Sequence, residues 1–369
     1  MIVYYDESIL TYISSIRKYF GLPLNYDDNK DFTNLIKTVN PKQIILLLVD
    51  GMGASLIEKK LPEYSYLRKH MYCKTTTVFP TTTTAATTSI RTGKAPNQTS
   101  WLGWVQYLKE VDDNIVCFNG KGFYSNVDYG HNTMYDAIPV EYMENELCRK
   151  GIKARRLFPA FDEDGCDDFA QMCNRLADFS NNSDYKYIYA YWDKYDEYMH
   201  EYGPNSKICD SYLCHINYMI ENLVEHISKN TLLIVVADHG QIEVKEEYNI
   251  CGSKYEKYLK RNIAIESRTT AFYVKDDMKD EFEKTFKKEF EDRFILLSHQ
   301  QVLDTHLFGD KQNHPRFEEF IGDYIAIGKA NTVFTYKERP RKSFKGQHSG
   351  MSIDELMIPI IVCQPKSNI

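Results

Sequence analysis

Two stretches of the sequence share one pattern, in which a continuous apolar run ends in an acidic residue and then glycine. Residues 43–50 form the first run, which ends in Asp50, and residues 231–238 form the second, which ends in Asp238. Such a run is typical of a parallel strand buried on both faces. Sites of α/β folds lie at the carboxyl ends of parallel strands, so both acids are candidate site residues. Taken alone, Asp50 is equally well explained as a helix cap or a turn former.

Helical patterns separate the apolar runs. A long amphipathic pattern covers residues 206–229, and further strand patterns occur at residues 185–192 and 357–362. This alternation predicts an α/β fold with a mainly parallel central sheet and helices on both faces. The alternation weakens after residue 240. We therefore predict a main catalytic core at residues 1–240, a small inserted α+β subdomain at residues 241–335 and a return to the core at residues 336–369.

Composition narrows the classes of function. The net charge of −7 argues against a general nucleic-acid-binding surface, although residues 337–342 form a local basic patch. No apolar run is long enough for a membrane span, so no membrane partner is expected. The nine cysteines include no Cys-x-x-Cys pair, and the first residues lack a signal-peptide pattern. These features predict reduced thiols and a cytoplasmic protein, and they leave the oligomeric state open.

A hydroxyl-rich stretch follows Pro80. Seven of the nine residues from 81 to 89 are threonine or serine, and Gly93 stops the helical spacing that begins among them. The pattern predicts a strand, a turn and a helix whose first turn carries hydroxyl groups. A hydroxyl at a helix start is well placed to attack a phosphoryl group, because free N–H groups there bind anions. Alternatively, these threonines only cap and cover the helix.

Further carboxylate and imidazole groups lie near the predicted strand ends. Asp196 and His200 are four residues apart, so one helical turn places them on the same face. His239 follows Asp238 directly, and His348 precedes the final predicted strand. Mixed carboxylate and imidazole ligands suit zinc. Each histidine considered alone is more often structural.

Five motifs in this order resemble the alkaline phosphatase superfamily, in its nucleotide pyrophosphatase/phosphodiesterase branch. They are Val49-Asp50-Gly51-Met52-Gly53, Phe79-Pro80-Thr81-Thr82-Thr83 running into Thr92-Gly93-Lys94-Ala95-Pro96, Asp196-x-x-x-His200-x-x-Gly203, Asp238-His239-Gly240, and Gly346-Gln347-His348-Ser349-Gly350. Each motif is weak by itself, and the resemblance depends on finding all of them in one order.

The resemblance implies a two-metal phosphohydrolase acting through a phospho-threonine intermediate. It implies two divalent ions, usually zinc with manganese as an alternative, bridged by the reacting phosphate. Counting back nine positions from Thr92 identifies Thr83 as the nucleophile. One ion would be held by Asp50, Asp238, His239 and Thr83, and the other by Asp196, His200 and His348.

The sequence also departs from the diesterase pattern. Diesterases of this branch carry a phosphate-binding asparagine at the position that falls near Trp104. Trp101 and Trp104 are candidates for a substrate-binding wall, with core packing as the alternative, and the further wall candidates are Tyr189, Tyr191 and Trp192. We expect a small phosphate ester or nucleotide as substrate. The competing functions are a phosphomonoesterase or phosphonate hydrolase on the same core, and a non-catalytic protein that binds a phosphorylated ligand.

Overall fold

The computed structural model describes residues 3–335 and 343–365. Its helices are α1 (Ile9–Tyr19), α2 (Lys30–Val39), α3 (Ala54–Lys60), α4 (Tyr66–Lys69), α5 (Thr83–Thr92), α6 (Pro96–Thr99), α7 (Thr133–Ala137), α8 (Met143–Arg149), α9 (Phe169–Asn182), α10 (Lys194–Tyr202), α11 (Lys207–His226), α12 (Lys279–Phe290), α13 (His299–Asp304), α14 (Phe317–Phe320) and α15 (Ile353–Leu356). Its strands are β1 (Gln43–Val49), β2 (Met71–Thr76), β3 (Val105–Leu108), β4 (Asp113–Val116), β5 (Ala154–Leu157), β6 (Tyr187–Trp192), β7 (Thr231–Val236), β8 (Ile242–Glu243), β9 (Glu246–Asn249), β10 (Leu259–Ile265), β11 (Thr269–Val274), β12 (Phe294–Ser298), β13 (Tyr324–Gly328), β14 (Thr332–Thr335), β15 (Gly346–Gln347) and β16 (Met357–Cys363). The basic patch at residues 337–342 lies outside the described residues.

The central sheet has six strands in the order β2-β16-β7-β1-β6-β5. Strands β7, β1, β6 and β5 are parallel, whereas β16 runs antiparallel to both of its neighbours, β7 and β2. The sheet is therefore mixed, with β16 as the one reversed strand. Every residue of β1 and β7 is buried, which means that both faces of the sheet are covered. This burial explains why their sequences are continuously apolar.

A second six-stranded sheet has the order β12-β13-β11-β10-β3-β4, and its strand pairs are antiparallel. Helix α12 packs phenylalanines against this sheet in a separate aromatic core, which includes Phe282, Phe286 and Phe334. Strands β3 and β4 come from residues 105–116, so the sheet is not formed by residues 241–335 alone. The sheet is thus assembled from two distant parts of the chain, and the insert at residues 241–335 stays a prediction.

The strong sequence patterns and the observed elements agree, and the weak patterns do not. The apolar runs form β1, β7 and β16, and the amphipathic pattern at residues 206–229 forms α11. Residues 22–41 are largely polar and show no strong pattern, but they contain α2, which begins after an Asn29 side-chain cap. Strands β2, β5 and β10 were not expected, because charged and polar residues interrupt their apolar positions.

Within residues 3–335 and 343–365, no helix has the length and apolar character needed to cross a bilayer.

Candidate metal and phosphoryl-transfer site

Four segments bring ligand-type side chains to one end of the central sheet. Asp50 follows β1 directly, and Asp238 lies two residues after the end of β7. Strand β6 leads into α10, which carries Asp196 and His200. Strands β6, β1 and β7 are parallel neighbours, so their carboxyl ends lie at the same edge of the sheet. His348 joins them from the segment after β15, which pairs with β8.

The first group of ligand-type residues consists of Asp50, Asp238 and His239, whose ligand atoms all lie within 4.8 Å of one another. His239 Nε2 is 3.3 Å from Asp50 Oδ1 and 3.5 Å from Asp238 Oδ2. The hydroxyl oxygen of Thr83 is 3.2 Å from Asp50 Oδ2 and 3.3 Å from His239 Nε2. The predicted nucleophile and the predicted ligands of one ion therefore converge.

The second group surrounds Asp196. Ligand atoms of Asp196, His239 and His348 lie within 4.8 Å of one another, and His200 Nε2 is 3.0 Å from Asp196 Oδ2. The His348 ring stacks on that of His239 with a centroid separation of 3.9 Å, and it lies 5.2 Å from the ring of His200. Because His239 belongs to both groups, the two groups form one continuous site.

Backbone carbonyls orient all three histidines. Nδ1 of His200, His239 and His348 lies 2.8, 3.1 and 3.0 Å from the carbonyl oxygens of Gly346, Gly240 and Thr81, respectively. A carbonyl oxygen only accepts, so Nδ1 of each ring carries a proton and donates it. An imidazole held in this way binds a metal through Nε2.

The buried carboxylates of Asp50 and Asp238 receive too few hydrogen bonds. Asp50 Oδ1 and Asp238 Oδ2 have no hydrogen-bond partner within the described residues, although Asp50 is 2% and Asp238 0% exposed. Burial and the charges of Asp238 and Asp196 raise the pKa of Asp50 well above its usual range, and burial also raises the pKa of Asp238. A divalent cation would satisfy these oxygens and offset their mutual repulsion, so the donor set fits metal ions.

Asp196 and the histidines around it are buried together, and their charges shift one another's pKa values. Burial acts to raise the pKa of Asp196, but the neighbouring His200 outweighs it and the pKa lies well below its usual range. Burial acts to lower the pKa of His200, and Asp196 outweighs that effect. Burial and the nearby His239 lower the pKa of His348 well below its usual range. His348 is therefore a neutral imidazole, the form that binds metal ions.

Thr83 differs from the threonines beside it. The Thr81 hydroxyl donates to a backbone carbonyl at 2.9 Å, the Thr82 hydroxyl donates to a carboxylate at 2.6 Å, and Thr84 is fully buried. Thr83 is only partly buried and is the first residue of α5. No side chain caps α5, so the N–H groups of its first turn remain available to an anion beside Thr83.

The turn between β10 and β11 holds the loop that carries His348. Arg268 Nε donates to Glu355 Oε1 at 2.7 Å, and both side chains are fully buried. The same carboxylate accepts the Gly350 N–H at 2.7 Å, and the Arg268 N–H donates to Ser349 Oγ at 3.2 Å. The second sheet thus fixes one edge of the candidate metal site.

The aromatic wall is smaller than the sequence predicts. Trp101 is fully buried, and its indole N–H donates to the Ile138 carbonyl at 3.1 Å, so it is a core residue and not a ligand-binding surface. Tyr189 and Trp192 are also in the core. Trp104 remains 42% exposed and is still a wall candidate.

One site residue has a role that differs from the sequence interpretation, and two others were missed. Tyr191, a wall candidate, donates its hydroxyl to Asp50 Oδ2. Phe344, which was not singled out, has its ring centroid 4.6 Å from that of His200. Glu266 was also missed, although it ends a short apolar run at residues 263–265 much as Asp50 ends its own. That run is too short and too mixed to stand out before the fold is known.

Tyr191 provides a test of the metal site. Replacing Tyr191 with phenylalanine removes the hydroxyl that orients Asp50, and loss of such an outer contact typically lowers metal affinity by about 10–100-fold. We expect a drop of this size in zinc affinity, measured by competition with a chromophoric chelator. Tyr189→Phe is the matched control, because Tyr189 lies on the same strand and its hydroxyl has no partner in the described structure. Equal zinc affinities for the two variants would contradict the assigned role of Tyr191.

The sequence matches the family model of type I phosphodiesterase/nucleotide pyrophosphatase over residues 44–104 and 104–351. No curated protein matches it. Among solved structures, murine ectonucleotide pyrophosphatase/phosphodiesterase 5 is similar with a TM-score of 0.67 and 14% identity, over 88% of each chain. An inactive threonine-to-alanine variant of that murine protein in complex with AMP gives a TM-score of 0.64 at 14% identity, over 88% of each chain. Phosphonoacetate hydrolase from Sinorhizobium meliloti in complex with phosphonoacetate gives 0.63 at 12% identity, over 89% of this chain and 92% of that one.

Proposed function

Because this chain belongs to the type I phosphodiesterase/nucleotide pyrophosphatase family of the alkaline phosphatase superfamily, we propose that it hydrolyses phosphodiesters or nucleotide pyrophosphates through a phospho-threonine intermediate. The observation that carries the proposal is the position of the Thr83 hydroxyl, within 3.3 Å of both Asp50 and His239. Thr83 is also at the start of α5, where backbone N–H groups favour an anion.

Two divalent ions fit the donor set. Asp50, Thr83, Asp238 and His239 would hold one ion, and Asp196, His200 and His348 would hold the other. The histidine share favours zinc, with manganese as the alternative. When bound, such ions stabilise negative charge on the attacking and leaving oxygens of an in-line displacement.

The residues of the chain account for the remaining steps. Asp50 Oδ2, 3.2 Å from Thr83 Oγ1, orients that hydroxyl and is placed to accept its proton. Thr83 Oγ then forms a bond to phosphorus as the bond to the leaving alcohol or phosphate breaks. The N–H groups at the start of α5 stabilise charge on a non-bridging phosphoryl oxygen. Water attacks the phospho-threonine in the second step and regenerates the hydroxyl.

A diester is the favoured substrate class. The residue directly after Thr83 is Thr84 and not an arginine. The nearest arginine along α5 is Arg91, which is buried in an ion pair with Glu144. The site therefore lacks a free cationic side chain from α5 for a doubly charged monoester, whereas Trp104 offers an exposed ring to an organic group. The murine relative that binds AMP supports a nucleotide as that group.

We expect higher kcat/KM on a nitrophenyl phosphodiester or a nucleotide diester than on nitrophenyl phosphate. The measurement uses purified protein with added zinc or manganese. A preference for the monoester of about tenfold, equal to about 1.4 kcal/mol in activation free energy, would overturn the diester assignment.

The alternative functions give different results in the same assay. Cleavage of a carbon–phosphorus bond would indicate a phosphonate hydrolase, which the fold similarity to phosphonoacetate hydrolase keeps as the second candidate. Calorimetric binding of AMP without turnover of any ester, in protein that contains its metal ions, would indicate a non-catalytic protein that binds a phosphorylated ligand.

A further inference from the structure

Glu266 is a buried acid next to the proposed nucleophile. Its Oε1 accepts the Thr82 hydroxyl at 2.6 Å and the Trp104 N–H at 2.7 Å. Glu266 therefore links Thr82, which precedes Thr83, to Trp104, whose indole ring is exposed. Within the described residues no lysine or arginine pairs with it, and its second oxygen accepts no hydrogen bond. The carboxylate thus lies beside Thr82 without a lysine or arginine partner among those residues.

The backbone holds Glu266 in this position at a conformational cost. Ile265, the residue before it, has φ of 74°, a left-handed conformation that is a genuine outlier for a β-branched residue. Ile265 is nevertheless almost fully buried and pairs with strands on both sides, through Thr270 and Val105. The Thr270 hydroxyl also donates to the Glu266 carbonyl at 2.7 Å. Strand pairing on both sides and the Thr270 bond thus hold the backbone of Glu266 in place.

The pKa of Glu266 reflects the groups that surround its carboxyl group. Burial raises the pKa of Glu266, while the bonds from Thr82 and Trp104 and the nearby His200 and His239 act in the opposite direction. The carboxyl group is therefore within electrostatic reach of histidines from both ligand groups.

We propose that Glu266 determines specificity by disfavouring a phosphoryl group with two negative charges, so that singly charged diesters are preferred over monoester dianions. The inference rests on the proposed function and assigns the substrate preference of that site to one residue. The physical reason is repulsion between like charges in a poorly solvated site, where screening by water is weak. A diester carries one negative charge fewer and experiences less of this repulsion.

The test is the variant Glu266→Gln, which keeps the volume and an acceptor oxygen for Thr82 and Trp104 but removes the charge. At pH 8, we expect the ratio of kcat/KM on methyl nitrophenyl phosphate to that on nitrophenyl phosphate to fall about tenfold relative to the wild type. Glu58→Gln is the matched control, since Glu58 is exposed and pairs with Lys74. Its ratio should equal that of the wild type. A Glu266→Gln ratio within twofold of the wild-type value would overturn the proposal, as would an equal loss on both substrates.

A binding measurement separates this inference from the proposed function. In the Thr83→Ala background, Glu266→Gln should tighten binding of inorganic phosphate about tenfold and change binding of dimethyl phosphate less than twofold, by calorimetry. If wild-type protein cleaves no ester but this difference appears, the proposed function fails and the role of Glu266 stands. If the wild type cleaves diesters and neither the ratio nor the binding changes, Glu266 is not the determinant. Glu266→Ala, with the same expected direction, replaces Glu266→Gln if the latter does not fold.

Discussion

Replacing Thr83 with alanine is expected to lower kcat on the preferred diester by on the order of 10⁴- to 10⁶-fold, the range seen when a nucleophilic unit is disabled. The hydroxyl of Thr83 is the group that bridges Asp50 and His239, and it is the only one in residues 81–84 that belongs to a partly exposed residue. The metal content should remain, because the carboxylate and imidazole ligands are untouched. The fold should also remain, since loss of a partly exposed side chain costs no more than about 1 kcal/mol.

The measurement combines single-turnover kinetics, metal analysis and thermal unfolding. Thr88→Ala is the control, because Thr88 lies on the same helix and its buried hydroxyl has no partner within the described structure. That variant should keep activity close to that of the wild type. Near wild-type turnover by Thr83→Ala would show that another hydroxyl is the nucleophile, and Thr81 would be the next residue to test.

The second large effect concerns the metal ions. We expect about two divalent ions per chain, and we expect His348→Ala to lower the metal content toward one and to reduce activity at least about 100-fold. His348 supplies a ligand atom to the group around Asp196, and its Nδ1 is already bonded to a backbone carbonyl. Chelation should also lower the Tm, because ions that bind only the folded chain stabilise it by up to about 4 kcal/mol at a thousandfold excess over Kd.

Elemental analysis after gel filtration measures the metal content directly. His215→Ala is the matched control, because His215 is an exposed histidine on α11. Its metal content and activity should equal those of the wild type. Full metal occupancy in His348→Ala would remove His348 from the set of ligands.

The strand ends at the centre of this site can be located from the sequence, for a physical reason. A strand buried on both faces must be continuously apolar, so β1 and β7 are visible in the sequence and their ends can be located. Asp50 and Asp238 at those ends meet because the strands are parallel neighbours. The three histidines join them, and their close approach is what the ordered motifs predict. The metal ions and the role of Thr83 remain predictions.

The surroundings of the site could not be predicted in the same way. Strand β10 has an alternating, partly exposed half, and its role depends on pairing with strands that are distant in sequence. Glu266 becomes significant only when that pairing places it against Thr82. Trp101 and Trp104 are two tryptophans three positions apart, yet Trp101 lies in the core and Trp104 is exposed. Such differences arise from tertiary packing rather than from local sequence.

The reversed strand β16 has a consequence for biosynthesis. It lies between β7 and β2 and pairs with both, yet it comes after residue 356 in the sequence. A ribosome therefore releases β2 and β7 long before the strand that joins them exists, and both leave unpaired edges open to other chains. The loop of His348 emerges at nearly the same time as β16, so the sheet and the candidate metal site are completed together. A nascent chain stalled before residue 346 should accordingly depend on chaperones and lack the full set of metal ligands.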